Sequence, residues 1–144
     1  MEILLNDRQA RLRLGTAEVF AGRVPSITEG RHLLLPDLNE DARSDLLFAD
    51  QGMDTNPFPG YQNTLMLSAP GGKLVHGTAN LPQQWDQTHS AAAADSNADV
   101  DMDLYVGNLG GGGRPLVLPK GDGSPRSHEV VLHARHLDVD VDLA

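Results

Sequence analysis

The sequence predicts an all-β protein: one domain over residues 1–144, a β-sandwich or jelly roll with Gly/Pro-rich loops and at most one or two short helices. Three observations predict it. Fifteen Gly, nine Pro and fifteen Asp stand against only five Glu, and the abundant types disfavour helix interiors while suiting turns. Several segments alternate apolar and polar residues with the period of a half-buried strand. Clusters of Pro, Gly and Asp separate those segments at short intervals. A chain of 144 residues is the size of one compact domain, burying roughly 68% of its unfolded surface. Aromatic residues make up only 4%, so Leu, Val and Ala must supply most of the core.

Taken in order, Arg11-Leu12-Arg13-Leu14 alternates and places both arginines on one strand face. Residues 17–20, after Gly15, are expected to form a second strand, and 31–35 is a short apolar run closed by Pro36. Asn39 can cap a short helix with Glu40 and Asp41 in its first turn, although 44–49 reads nearly as well as a strand. Residues 64–68 and 74–77 flank Ala69-Pro70-Gly71-Gly72, a hairpin turn. The four alanines within 88–94 read as a surface loop with one helical turn. Asp99-Val100-Asp101-Met102-Asp103-Leu104 alternates, with three carboxylates on one face, and 137–143 repeats the pattern. There Val139, Val141 and Leu143 are expected toward the core and Asp138, Asp140 and Asp142 toward solvent or arginine. Between these ladders, 116–118 and 129–133 read as strands separated by the turn-rich stretch 119–125, and 110–113 as a flexible glycine loop.

Charge narrows the function. The formal net charge is −9, and −7 of it lies within 44–113, where eight aspartates face Lys73 alone. Such a surface repels phosphate backbones and anionic lipid, so neither nucleic acid nor membrane is an expected partner. The absence of cysteine removes disulfides, thiol nucleophiles and thiolate metal sites. The first residues carry an acid and only a three-residue apolar run, so no signal peptide is expected and synthesis is read as cytoplasmic.

Catalytic and metal motifs fail on spacing. His128 and His133 diverge by roughly 140° on a helix and point to opposite faces of a strand. The run Asp99-x-Asp101-x-Asp103 resembles the start of a calcium loop, but Leu104 stands where that loop needs Gly. Neither Gly71-Gly72-Lys73 nor 110–113 continues as a phosphate loop. No Gly-x-Ser-x-Gly elbow occurs. The expectation is therefore no enzyme, no cofactor, no metal and no small-molecule substrate.

Two kinds of binding residue stand out. Gln83-Gln84-Trp85-Asp86-Gln87 sets the sole tryptophan among amides, and Tyr61 and Tyr105 can add aromatic surface; these three are candidate ligand contacts or interface anchors. Arg11 and Arg13 complement the ladders Asp99, Asp101, Asp103 and Asp138, Asp140, Asp142, which makes all eight candidate interface residues, because facing opposite charges stabilise strand pairs.

A small, leaderless, cysteine-free, acidic β-rich chain ending in the pattern of 115–143 (strand, Gly/Pro turn, Val-rich strand, alternating strand) resembles the capsid decoration, or cement, proteins of tailed bacteriophages. The resemblance covers about a fifth of the chain. It implies a virion structural protein that sits as a homo-oligomer on the major capsid protein, a trimer being the form that local threefold axes accommodate. A carbohydrate- or receptor-binding β-sandwich module, as a virion appendage, is the alternative, and a small cupin-like enzyme a second one.

Overall fold

The structure, a computed structural model, describes residues 1–96, 98, 100–108 and 114–116. Among these, nine strands form three antiparallel sheets, with one four-residue helix. Strands β1 (Leu4–Asn6) and β2 (Leu12–Leu14) make an N-terminal hairpin, followed by helix α1 (Thr16–Val19). The middle sheet is a meander of β3 (Gly30–Leu34), β4 (Leu46–Asp50), β5 (Thr64–Ala69) and β6 (Lys73–His76). A 3-10 turn at Thr78–Asn80 leads toward the third sheet, β7 (Thr88–Ala94), β8 (Asp103–Asn108) and β9 (Arg114–Leu116).

The middle sheet is covered on both faces. Leu47 and Ala49 on β4 and Leu65 on β5 share one side and pack with Ala91 of β7 and Leu104 of β8. Met66 and Leu74 project to the other side and meet Phe20, which leaves α1, with Ile3 and Val19 packed around them. Two-sided burial is why β5 runs Leu65-Met66-Leu67 without alternating. Two sheets sharing one core make a sandwich. Neighbours within each sheet are consecutive in sequence, so the described strands wind as meanders, without the crossovers of a jelly roll. As the low aromatic content implied, the buried apolar residues are mainly leucine and alanine.

The hairpin turn between β5 and β6 forms as expected, with Gly71 and Gly72 at φ 77° and 70° in the left-handed region that glycine enters without penalty. Four local expectations change. Residues 17–20 form no strand; Thr16–Val19 is one helical turn, with Thr16 Oγ1 accepting from the Ile3 amide at 2.9 Å. Asn39 caps no helix. Glu40 and Ala42 adopt φ 58° and 61°, the Asp37 carboxylate accepts from the amides of Asp41 and Ala42, and the strand reading prevails as Leu46–Asp50.

Residues 88–94 are neither loop nor helix but strand β7. Ala91 is buried between the sheets, and the run pairs with Tyr105, Val106 and Leu104 of β8. Small side chains admit close sheet packing, and pairing overrides alanine's helical preference. The ladder around 99–104 is not a strand along its length. Val100 has φ 78° and is 85% exposed, strand β8 begins only at Asp103, and Asp103 is buried, accepting from Ser96 N at 3.0 Å and from the Ser96 hydroxyl. Its carboxylate caps a turn instead of lining an acidic face. The strands expected beyond 116, the glycine loop and the C-terminal ladder lie outside the described residues.

Candidate functional site

Trp85 packs against Tyr61, which lines a cleft beside the middle sheet. Phe20 is anchored in the core and bridges Leu74, with Ala21 N donating to Leu74 O at 2.9 Å. That bridge lays residues 23–26 beside the end of β6, so Arg23, Pro25 and Ser26 form one wall. Tyr61, Gln62 and Thr64, leading into β5, form the other, with His76 and Thr78 between them; the cleft encloses about 270 Å³.

The loop carrying Trp85 is held at several points. Gln62 Nε2 donates to Pro82 O at 3.1 Å, and Gln62 Oε1 accepts from Gln84 N at 2.8 Å. Gln83 Nε2 donates to the carbonyls of Thr78 and Leu81 at 3.0 and 2.7 Å. Tyr61 N donates to Asp86 O at 3.1 Å in an isolated antiparallel bridge. The chain can approach so closely because position 60 is glycine: at φ 70°, a Cβ there would lie 2.6 Å from the Asp86 carbonyl carbon. The loop thus holds Trp85 outward, 68% exposed, against Tyr61 at a centroid distance of 5.6 Å and an interplanar angle of 48°. A large amphipathic ring kept in solvent on a braced loop suits contact with something outside the chain.

The cleft carries a cation within an acidic protein. Arg23 and His76 line it, and no aspartate or glutamate does. Arg23 enters no ion pair among the described residues. Thr78 Oγ1 accepts from Leu65 N at 3.0 Å and lies 3.0 Å from His76 Nε2, which fixes the imidazole against the cleft floor.

Of the residues the sequence nominated, Tyr61 and Trp85 come together. Tyr105 does not join them; it lies on β8, opposite Ala92 and Pro115. Arg13 pairs with Glu18 through both terminal guanidinium nitrogens, the Nη2 bond being 2.9 Å long. That hydrogen bond and the neighbouring charge hold the Arg13 pKa above its ordinary value, and the same bond holds Glu18 below its own. Arg13 is thus engaged locally, not with an acidic ladder. Arg11 directly precedes β2 and is exposed. Asp101 is half-buried and Asp103 fully so, which removes Asp103 from any free interface. Asp99, Asp138, Asp140 and Asp142 lie outside the described residues.

The sequence reading missed Arg23, Gln62, His76 and Thr78. Nothing in their spacing signals a site, since they converge only when Phe20 and the β5–β6 hairpin pack. Among the described residues no group of three or more His, Asp or Glu side chains is placed to hold a metal ion, and no helix is long and apolar enough to cross a membrane.

Elsewhere, the hairpin of β1 and β2 presents a different surface. Leu4 pairs with Leu14 and Asn6 with Leu12, so the three leucines share one face, and each is more than half exposed (54%, 62% and 62%). The opposite face carries Leu5, half-buried against Gly15, and Arg13, paired with Glu18. Comparison with protein-family models, curated proteins and solved structures finds no match to the chain.

Proposed function

We propose that this chain is a non-enzymatic structural protein that acts by assembly, in the manner of a capsid decoration protein. In this reading it forms a homo-oligomer on the surface of a shell built by a major capsid protein. One observation carries the assembly part: the exposed face of Leu4, Leu12 and Leu14. A strand's register is normally chosen to bury its apolar face, yet here the chain covers the Leu5 side and leaves three leucines in water. Fully burying one leucine stabilises by roughly 1.5–3 kcal/mol; with just over half of each still exposed, a second molecule seated on the hairpin gains roughly half that increment from each of the three.

The occupant proposed is a second copy of the chain. A copy presents the same three exposed leucines, so the contact is self-complementary, leucine against leucine, as a two-fold interface between identical chains requires. The decoration reading adds the resemblance of the C-terminal pattern and the acidic, cysteine-free composition. Light scattering after size exclusion, with and without purified capsid shells, tests it. The wild type should run as an oligomer and bind shells, while Leu12→Asp should run smaller with an unchanged circular dichroism spectrum. A wild type that stays monomeric to its solubility limit and ignores shells refutes the proposal.

A second reading, a carbohydrate- or receptor-binding module, is supported by the braced, exposed Trp85 beside its cleft.

A further inference from the structure

We propose that the cleft beside Trp85 binds a single carboxylated sugar, a uronic- or sialic-acid residue of a glycan, with Arg23 taking the carboxylate. The inference rests on the second reading above and is independent of assembly. Its size comes first. At about 270 Å³ the cleft falls just under the roughly 300–1,000 Å³ of drug-sized sites, which is room for one pyranose ring and not for a longer glycan. Further sugar units would extend past Tyr61, against which the exposed Trp85 ring rests.

The walls then select the chemistry. Tyr61 lines the cleft and leans on Trp85 at 48°, an angled aromatic surface on which the C–H face of a sugar ring can pack. Arg23 supplies a planar guanidinium whose fork matches a carboxylate through two parallel hydrogen bonds. Ser26 and His76 offer donors or acceptors for ring hydroxyls. Gln62 and Thr78 brace the Trp85 loop and the imidazole, so that part of the site is held in place and binding has chiefly the Arg23 side chain to order.

Charge limits the ligand from the other direction. A net charge of −9 repels polyanions such as nucleic acids or heavily sulfated glycans at long range. One carboxylate, met at short range by Arg23, escapes most of that penalty. A neutral sugar would leave the guanidinium without a partner.

The test uses the full chain and four probes: methyl glucuronide, the methyl glycoside of N-acetylneuraminic acid, methyl glucoside and sodium acetate. Binding is followed by calorimetry and by Trp85 fluorescence. At least one acidic glycoside should bind about tenfold or more tighter than methyl glucoside and than acetate, as a charge-assisted pair added to ring packing requires. Arg23→Ala should bring that acidic glycoside to the affinity of the neutral one. Trp85→Ala should weaken all three glycosides while the circular dichroism spectrum stays unchanged. If the neutral sugar binds as well as both acidic ones, the carboxylate inference is overturned and the carbohydrate-binding reading stands. If no sugar binds, or acetate binds as well as the acidic glycosides, both fall. Neither outcome touches oligomerisation, which light scattering reads separately.

Discussion

Replacing Asp45 by Ala should be among the most damaging single changes in the described fold. The side chain is fully buried immediately before β4. Its Oδ2 accepts from Leu38 N at 2.8 Å and its Oδ1 from Ser68 N at 2.7 Å. Both donors belong to buried residues, so alanine leaves two amides away from water with no acceptor. Each such orphan costs about 1–3 kcal/mol, giving roughly 2–6 kcal/mol together, against a typical total stability of about 5–15 kcal/mol. Urea unfolding followed by far-ultraviolet circular dichroism is the assay. With a slope of about 2 kcal/mol per molar, the middle of the range for a small protein, the midpoint should fall by about 1–3 M or the variant should fail to fold. Asp45→Asn keeps one acceptor but turns an amide donor toward a donor, so its loss should be smaller but clear. A loss below about 0.5 kcal/mol for Asp45→Ala, the range of ordinary surface changes, would mean that the carboxylate does not join loop 36–45 to β5 in solution.

Three further outcomes can be checked with the same unfolding curves. Leu65→Ala, in a wholly buried position of the main core, should cost about 2–5 kcal/mol, whereas Leu12→Ala on the exposed hairpin face should change stability by no more than about 0.5 kcal/mol while weakening self-association. Gly60→Ala forces a Cβ against the Asp86 backbone at a positive φ, so it should lower the midpoint by an amount worth about 1 kcal/mol or more and blue-shift or quench Trp85 emission as the loop moves. Partial burial works to raise the Asp41 pKa, but hydrogen bonds from the Ser68 hydroxyl and the Arg43 guanidinium outweigh it, leaving the carboxyl below its ordinary value. The stability it contributes is therefore complete above the unfolded value near ~3.9 and is lost as pH falls through the folded one. The gap between wild type and Asp41→Asn should narrow on acidification below about pH 4; a gap that widens there contradicts the assignment.

The elements legible in the sequence are those whose cause is local. A run such as Arg31-His32-Leu33-Leu34 ending at Pro36, or two apolar runs around Pro70-Gly71-Gly72, carries its strand period and turn chemistry within ten residues, and β3, β5 and β6 appear where that pattern places them. The all-β class follows from the same cause, because a surplus of Asp and Gly over Glu and Lys penalises helix wherever it occurs. Trp85 was legible as a binding candidate since the chain holds one tryptophan and sets it among amides.

Pairing at a distance governs the rest. Four alanines read alone favour a helical turn, and they become β7 because β8 lies alongside and because Ala91 N donates to His32 Nδ1, a partner 59 residues away. An alternating Asp ladder read alone is a strand with an acidic face, yet Ser96 draws Asp103 into a buried turn and Val100 swings out to solvent. Arg23 and His76, 53 positions apart, meet in the cleft only because Phe20 is buried against Met66 and Leu74. Periodicity records what each residue prefers toward water; it carries no record of which distant backbone will satisfy its amides, and that satisfaction placed both the third sheet and the cleft.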